Sequence, residues 1–256
     1  MANTSHKTPK NRDAKGSSRR TKTGPTTPHA KSPRAKQREA IDLEPQQARS
    51  RESLRKLEKA AAEVLGQHGV EGATIPRIAA HAGLTPGAVY RRFTDKDALL
   101  ESVILGIMER QDERLRTGLT PEAAAQIPLP VFAGQLINSL VVSYRANAAL
   151  LRAMRQFVRG KTHTDFWKKV SRLEFRTYQH LIDLLLASAK DIQHPAPKMA
   201  VSLGMMMVIS TLHELVGEVS DTKAWKGLLP QDDRALKDEL TRSFLSYLGA
   251  GDARSM

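Results

Sequence analysis

Two signals that begin an α-helix stand eleven residues apart, Thr74-Ile75-Pro76 and Thr85-Pro86, with Gly83 between them. In each, a hydroxyl able to cap backbone N–H groups precedes a proline in the first turn, where a missing N–H costs nothing. Ile75, Ile78, Ala79 and Ala82 give the first helix one apolar face, and Gly83 stops it after about two turns. Val89 and Phe93 form the inward face of the second. Helices this short are unstable alone, so they need bracing. Before them, Leu54, Leu57, Ala61, Val64 and Leu65 recur at helical spacing from Ser50 to a stop at Gly69. After them, Thr94 is the expected cap of a fourth helix, with Asp95 and Asp97 in its positively polarised first turn and a stripe of Leu99, Leu100, Val103, Ile104 and Ile107. The pattern predicts a helix-turn-helix held between longer helices.

Beyond Arg116 the periodicity stays helical. Pro121, Pro128 and Pro130 interrupt it, and then 131–144, 148–158 and 165–189 each carry an apolar side. Pro195 and Pro197 open a helix to about Val219 that is apolar nearly all round, which predicts burial on two sides, by its own domain and by a second subunit. Asp232 or Asp233 caps a last helix whose stripe, Leu236, Leu240, Phe244, Leu245 and Leu248, ends at Gly249. No run of alternating strands and no repeat period interrupts this reading. The expected fold class is all-α, with a helix-turn-helix unit over 47–100 and a larger helical domain over 101–250.

The net charge of +13 is unevenly placed: residues 1–38 hold eleven Lys or Arg against one acid, leaving only +3 for the other 218 residues. Residues 1–46 have almost no large apolar side chains and scattered prolines, so they are expected to be a disordered basic tail. Such a tail serves either as a solvated extension or as a contributor to nucleic-acid affinity through counterion release. With no cysteine in the chain, disulfides and thiolate metal sites are excluded. The richest apolar stretch, Met199 to Leu212, is too short for a membrane span, and the first thirty residues lack the apolar core of a secretory signal. A cytoplasmic protein without a membrane partner is expected.

Catalytic signatures are missing. His213-Glu214 begins like a zinc protease motif, but Gly217 stands where the second His belongs. His163-x-Asp165 and His180-x-x-Asp183 each offer only two ligands, so no metal is expected. No phosphate-binding glycine loop or nucleophile elbow occurs, and neither enzyme activity nor a cofactor is expected.

The segment from Gly69 to Leu100, GVEGATIPRIAAHAGLTPGAVYRRFTDKDALL, resembles the DNA-binding domain of TetR-family transcriptional regulators over roughly Ser53 to Val103. Shared features are the Gly before the second helix, its Thr cap, Ile-Ala, Ala-Gly-Leu, the Tyr90-x-x-Phe93 pair and the following Lys96. Two positions depart: Ser53-Leu54 replaces a common Thr-Arg pair, and Arg92 stands where His is frequent. The resemblance implies double-stranded DNA as partner, with the helix that starts at Pro86 entering the major groove. Thr85, Pro86, Gly87 and Ala88 then meet the DNA closely, and Arg91 is the expected base reader through its bidentate fork. Thr74, Arg77, Tyr90, Arg92 and Lys96 are placed for phosphates, helped by backbone N–H groups near Thr74 and Thr94.

The same resemblance implies a C-terminal domain that binds a small-molecule effector and forms a homodimer through the last two helices, Leu240 and Phe244 among the contacts. Tyr144, Phe157, Trp167, Tyr178 and Met206 are the candidate pocket walls, with Arg152, Gln156 or His180 orienting a polar group. The expected function is a ligand-responsive regulator, a repressor that binds a palindromic operator as a homodimer and is released by its effector. The alternatives are an architectural, largely non-specific DNA-binding protein and an enzyme with an unrecognised site.

Overall fold

In the computed structural model of the chain, backbone is described for residues 33–189, 192–216, 230 and 232–250, and side chains for those from residue 50 on except 215 and 216. The chain divides into two units, 1–48 and 49–256. Helices follow one another as α1 (Pro33–Gly72), α2 (Ile75–His81), α3 (Pro86–Tyr90), α4 (Lys96–Gly118), α5 (Pro121–Ala124), α6 (Leu129–Ala146), α7 (Ala148–Arg159), α8 (Asp165–Ala187), α9 (Pro197–Val216) and α10 (Asp233–Leu248). No strand occurs among the described residues, in agreement with the all-α reading.

Two expectations about the tail part company here. Residues 1–32 lie outside the described residues, whereas 33–46, expected to be disordered, are helical. The reason is intrinsic: Arg, Ala, Lys, Gln, Glu and Leu dominate 34–44, and all are good helix formers even though few are apolar. Gly69 does break the first helix, with φ 66°, but one further turn follows to Gly72.

The helix-turn-helix forms where its start and stop signals lie. Arg77 N–H donates to Thr74 Oγ1 (3.5 Å) and Ala88 N–H to Thr85 Oγ1 (3.3 Å), so each hydroxyl caps its helix. Between them, Gly83 takes φ 67°, which a side chain strains to adopt. Its N–H donates to Ala80 O (3.1 Å) while that of Leu84 reaches Ala79 O (2.8 Å), the paired bonds that close a helix end at glycine. At α4 the expected cap moves by one residue. Asp95, not Thr94, accepts from Ala98 N–H (2.8 Å), because a carboxylate competes better than a hydroxyl for N–H groups at a positive helix end.

One core joins Leu57, Leu65, Ile78, Val89, Leu99 and Ile104 of α1–α4 to Ala153, Met154 and Phe157 of α7 and to Phe166 and Val170 of α8. The boundary expected at 100/101 is therefore not a boundary in packing. Short α2 and α3 cannot enclose a core alone, and α7 with the start of α8 closes it. Two polar ties reinforce this arrangement. Asp112 of α4, 2% exposed, accepts from Arg176 Nη2 (2.7 Å) and Thr177 Oγ1 (2.9 Å) of α8. Lys161, after α7, reaches Asp97 at 2.5 Å in the first turn of α4.

A second core unites α6, the later part of α8, α9 and α10 around Ile137, Leu184, Leu185, Met205, Leu212 and Phe244. Phe244 is only 2% exposed, so it packs inside its own chain rather than at a subunit contact as expected. Its place follows from Gly204: a Cβ there lies 2.8 Å from the Phe244 ring, so the glycine lets the ring lie against α9. Gly204→Val should therefore lower stability by about 1–3 kcal/mol, because overpacking outweighs a helix-propensity gain of roughly 0.5 kcal/mol. The urea midpoint of unfolding measures it.

Candidate functional site

α3 is held to the core from one side only. Val89 is fully buried and Phe93 is half-buried, while Thr85, Pro86, Gly87, Tyr90, Arg91 and Arg92 are exposed and Ala88 is half-buried. A Cβ on Gly87 meets nothing within 4 Å, so no neighbour crowds this position and the first turn stands bare. A convex, two-turn surface of this kind matches the width of a DNA major groove.

The basic side chains around it fall into two groups. Arg77 Nη1 donates to Gly72 O (2.7 Å), Lys96 Nζ to Val70 O (3.2 Å), and Arg92 Nη1 and Nη2 to Ser50 O and Oγ (both 3.1 Å). These three cations are held in place by α1, two of them by its last turn and the third by Ser50. Each keeps further N–H groups for an outside acceptor, since guanidinium has five and ammonium three. The Arg91 guanidinium has no hydrogen bond or ion pair to a described residue, and Tyr90 is 55% exposed. The structure thus brings Thr74, Arg77, Thr85, Pro86, Gly87, Ala88, Tyr90, Arg91, Arg92 and Lys96 onto one tri-helical unit. Ser50 as the anchor of Arg92 carried no signal in the sequence, because the pair is 42 residues apart.

The five candidate pocket residues separate. Tyr144 and Tyr178 pack against the second core. Phe157 is 5% exposed inside the first, edge-on to Phe166 at 5.7 Å between ring centres. Trp167 is half-buried beside His163, and Met206 is 53% exposed on the outside of α9. Of the proposed polar orienters, His180 has a buried Nε2 without a partner among the described residues.

Tyr144 leads instead to a residue considered only as a failed metal motif. Its hydroxyl lies 3.1 Å from His213 Nε2, and the two rings are 5.2 Å apart. Burial pushes the phenol pKa up, with Tyr178 adding to the shift, so Tyr144 stays protonated and is the donor. Burial, then the charge of Arg155, pushes the His213 pKa down, leaving its ring neutral and able to accept. A base with a depressed native pKa confers stability that is complete above its ordinary value of 6.5 and is lost as pH falls through the lowered one. The stability difference between the wild type and His213→Asn should therefore shrink on acidification from pH 7.5 to 5.5, as read from thermal unfolding.

Three comparisons bear on this geometry. Residues 57–103 match the model of the family described as bacterial regulatory proteins, tetR family. The fatty acid metabolism regulator protein of Bacillus subtilis (strain 168) is 24% identical over 157 residues, spanning 61% of this chain and 78% of that protein. Among solved structures, the fatty acid degradation regulator FadR from Bacillus halodurans has a TM-score of 0.55 at 19% identity, over 74% of this chain and 96% of that one. FadR from Bacillus subtilis in complex with stearoyl-CoA has a TM-score of 0.52 at 18% identity, over 77% and 98%. The structural likenesses carry the fold, and the matched segment coincides with the core-held helix-turn-helix. With those residues in that geometry, residues 57–103 form a DNA-binding domain of the kind shared by the tetR family of bacterial regulatory proteins, and the chain's similarities are to transcriptional regulators.

Proposed function

We propose that the protein is a cytoplasmic, ligand-responsive repressor that binds a palindromic operator as a homodimer and leaves it when a small-molecule effector binds. The observation that carries this reading is the exposed face of α3, where bare Gly87 stands beside Arg91, whose guanidinium is unspent. In this reading Arg91 reads a base edge, Thr85 to Ala88 approach the groove closely, and Thr74, Arg77, Tyr90, Arg92 and Lys96 hold phosphates. The hydrogen bonds of Arg77, Arg92 and Lys96 to backbone oxygens support it, because they fix the cations without using all their donors.

Homodimerisation is supported by Met199, Leu203 and Met206, which are 60%, 47% and 53% exposed and follow i, i+4, i+7 along α9. A second copy is the reading that covers such a stripe, and it sets the two α3 helices roughly 34–36 Å, or a small multiple, apart. Coupling is supported by α7, whose Ala153, Met154 and Phe157 sit in the core of the helix-turn-helix while Arg155 affects Tyr144 and His213. An effector that binds better to a shifted α7 changes the spacing of the α3 helices, and only that differential affinity links the sites. Because relatives are named for fatty acid metabolism and one was solved with stearoyl-CoA, a fatty acyl compound is the effector to try first. No described helix is long and apolar enough to cross a membrane.

Selection of bound duplexes from a random-sequence pool tests the reading. Enrichment of an inverted repeat supports it. A pool that stays random favours a coating protein instead.

A further inference from the structure

Two of the cations around α3 share one irregular turn at the end of α1. Gly69 takes φ 66°, a conformation that side chains rarely adopt, so the helix breaks there before its last turn to Gly72. In a continuing helix the Thr74 N–H would bond to Val70 O, but it donates to Gly72 O (2.9 Å), while the Ala73 N–H takes Gly69 O (3.1 Å). Val70 O is thereby left outside the backbone ladder, and it accepts from Lys96 Nζ (3.2 Å). Gly72 O accepts a second bond, from Arg77 Nη1 (2.7 Å). Carbonyls at a helix C-terminus lack partners within the helix and stand at the negative end of its dipole, so cations suit them.

The two glycines are required for different reasons. A Cβ on Gly69 meets nothing within 4 Å, so only its positive φ calls for glycine. Gly72 has no positive φ, but a Cβ there lies 2.6 Å from His68 Cβ and 3.2 Å from Arg77 Nη1. A side chain at 72 therefore displaces the guanidinium or moves the turn. Val70 packs against the first core and Lys96 is half-buried, which ties the turn to the helix-turn-helix. Arg92 has a separate anchor in Ser50. Neither Arg77 nor Lys96 forms an ion pair with a described carboxylate, so their charge is left for an anion outside the chain.

We propose that the turn from Gly69 to Gly72 is a positioning element for DNA binding: Gly69 releases the carbonyl that seats Lys96, and Gly72 is the seat of Arg77. Both side chains are ordered before DNA arrives, so the entropy of immobilising them is lost in folding rather than in binding. Most of their N–H groups remain for phosphate oxygens. This rests on the reading of the chain as a DNA-binding regulator and adds two glycines that act through their neighbours.

Gel shifts on operator and random duplexes over a range of salt concentrations test it in two double-mutant cycles, Gly72→Ala with Arg77→Ala and Gly69→Ala with Lys96→Ala. Gly72→Ala should weaken binding to both DNAs alike by about three- to tenfold and lower the slope of log K against log salt by about 1, as Arg77→Ala does. In the Arg77→Ala background it should cost less than about twofold more, whereas its loss and that of Arg92→Ala should multiply. Gly69→Ala should lose its effect in the same way once Lys96 is alanine. Gly69→Asn, which tolerates a left-handed backbone, should bind within about twofold of wild type. Glycine losses that persist undiminished in the Arg77→Ala and Lys96→Ala backgrounds, an unchanged salt slope in Gly72→Ala, or no loss in either glycine variant overturns the proposal. If thermal unfolding shows that Gly72→Ala does not fold, the Gly69 cycle decides, because nothing crowds that position and the Asn variant separates backbone strain from loss of fold. Wild-type preference for operator over random duplex, read in the same gels, reports separately on the regulator reading.

Discussion

Arg91→Ala should weaken binding to the selected operator by about 1–3 kcal/mol per half-site, while binding to unrelated duplex DNA changes little. The side chain is exposed, bonds to no described residue, and follows directly on α3, so its removal disturbs no packing. What is lost is a bidentate contact to a base edge, which only the correct base pair repays. In a dimer the loss counts twice. Lys96→Ala is the contrast, because Lys96 Nζ is bound to Val70 O and its remaining donors suit phosphate, so that variant should weaken every sequence alike. Competition gel shifts with specific and random duplexes measure both. Equal losses on the two DNAs for Arg91→Ala remove it from base reading.

A larger loss is expected from Leu203→Glu combined with Met206→Glu. Both side chains are about half exposed on the outer face of α9, so the folded subunit tolerates charge there. Covered by a second copy, each apolar side chain is worth about 1.5–3 kcal/mol, and two-fold symmetry presents each change twice. Four carboxylates in one contact reverse that sign. The variant should sediment as a monomer and bind operator at least about 100-fold more weakly, since a monomer reaches one half-site only. An unchanged dimer moves the interface off this stripe. The expectation first attached to Phe244 does not transfer, because charge at a residue 2% exposed within its own subunit unfolds α9 against α10.

What the sequence made legible was local. The caps at Thr74 and Thr85, the stops at Gly83 and Gly249, and the buried faces of α1 to α4 each depend on residues within a turn or two, and each is found. Asp95 displaced Thr94 as a cap because its carboxylate outcompetes the adjacent hydroxyl for the same N–H groups, a contest between neighbours that start signals alone do not rank. Phe244 and Leu240 share one apolar stripe in the sequence, and periodicity does not say which side of the stripe a neighbouring helix will take. Pairs between distant helices were least legible. Tyr144 and His213 stand 69 residues apart, and nothing in the sequence pairs them until α6 and α9 pack together. The same applies to Asp112 with Thr177 and to Lys161 with Asp97, ties across 65 and 64 residues that set how α4 meets α7 and α8.

The central claim is that the placed residues of one short helix, rather than the basic excess of residues 1–38, direct the protein to particular DNA. Nuclease footprinting of the full chain on a DNA fragment containing the selected sequence, with excess random duplex present, tests it most directly. The account predicts protection of a discrete inverted repeat with half-sites about one helical turn, or a small multiple, apart, lost in Arg91→Ala. Protection spread evenly along the fragment, or a footprint unchanged in Arg91→Ala, contradicts it.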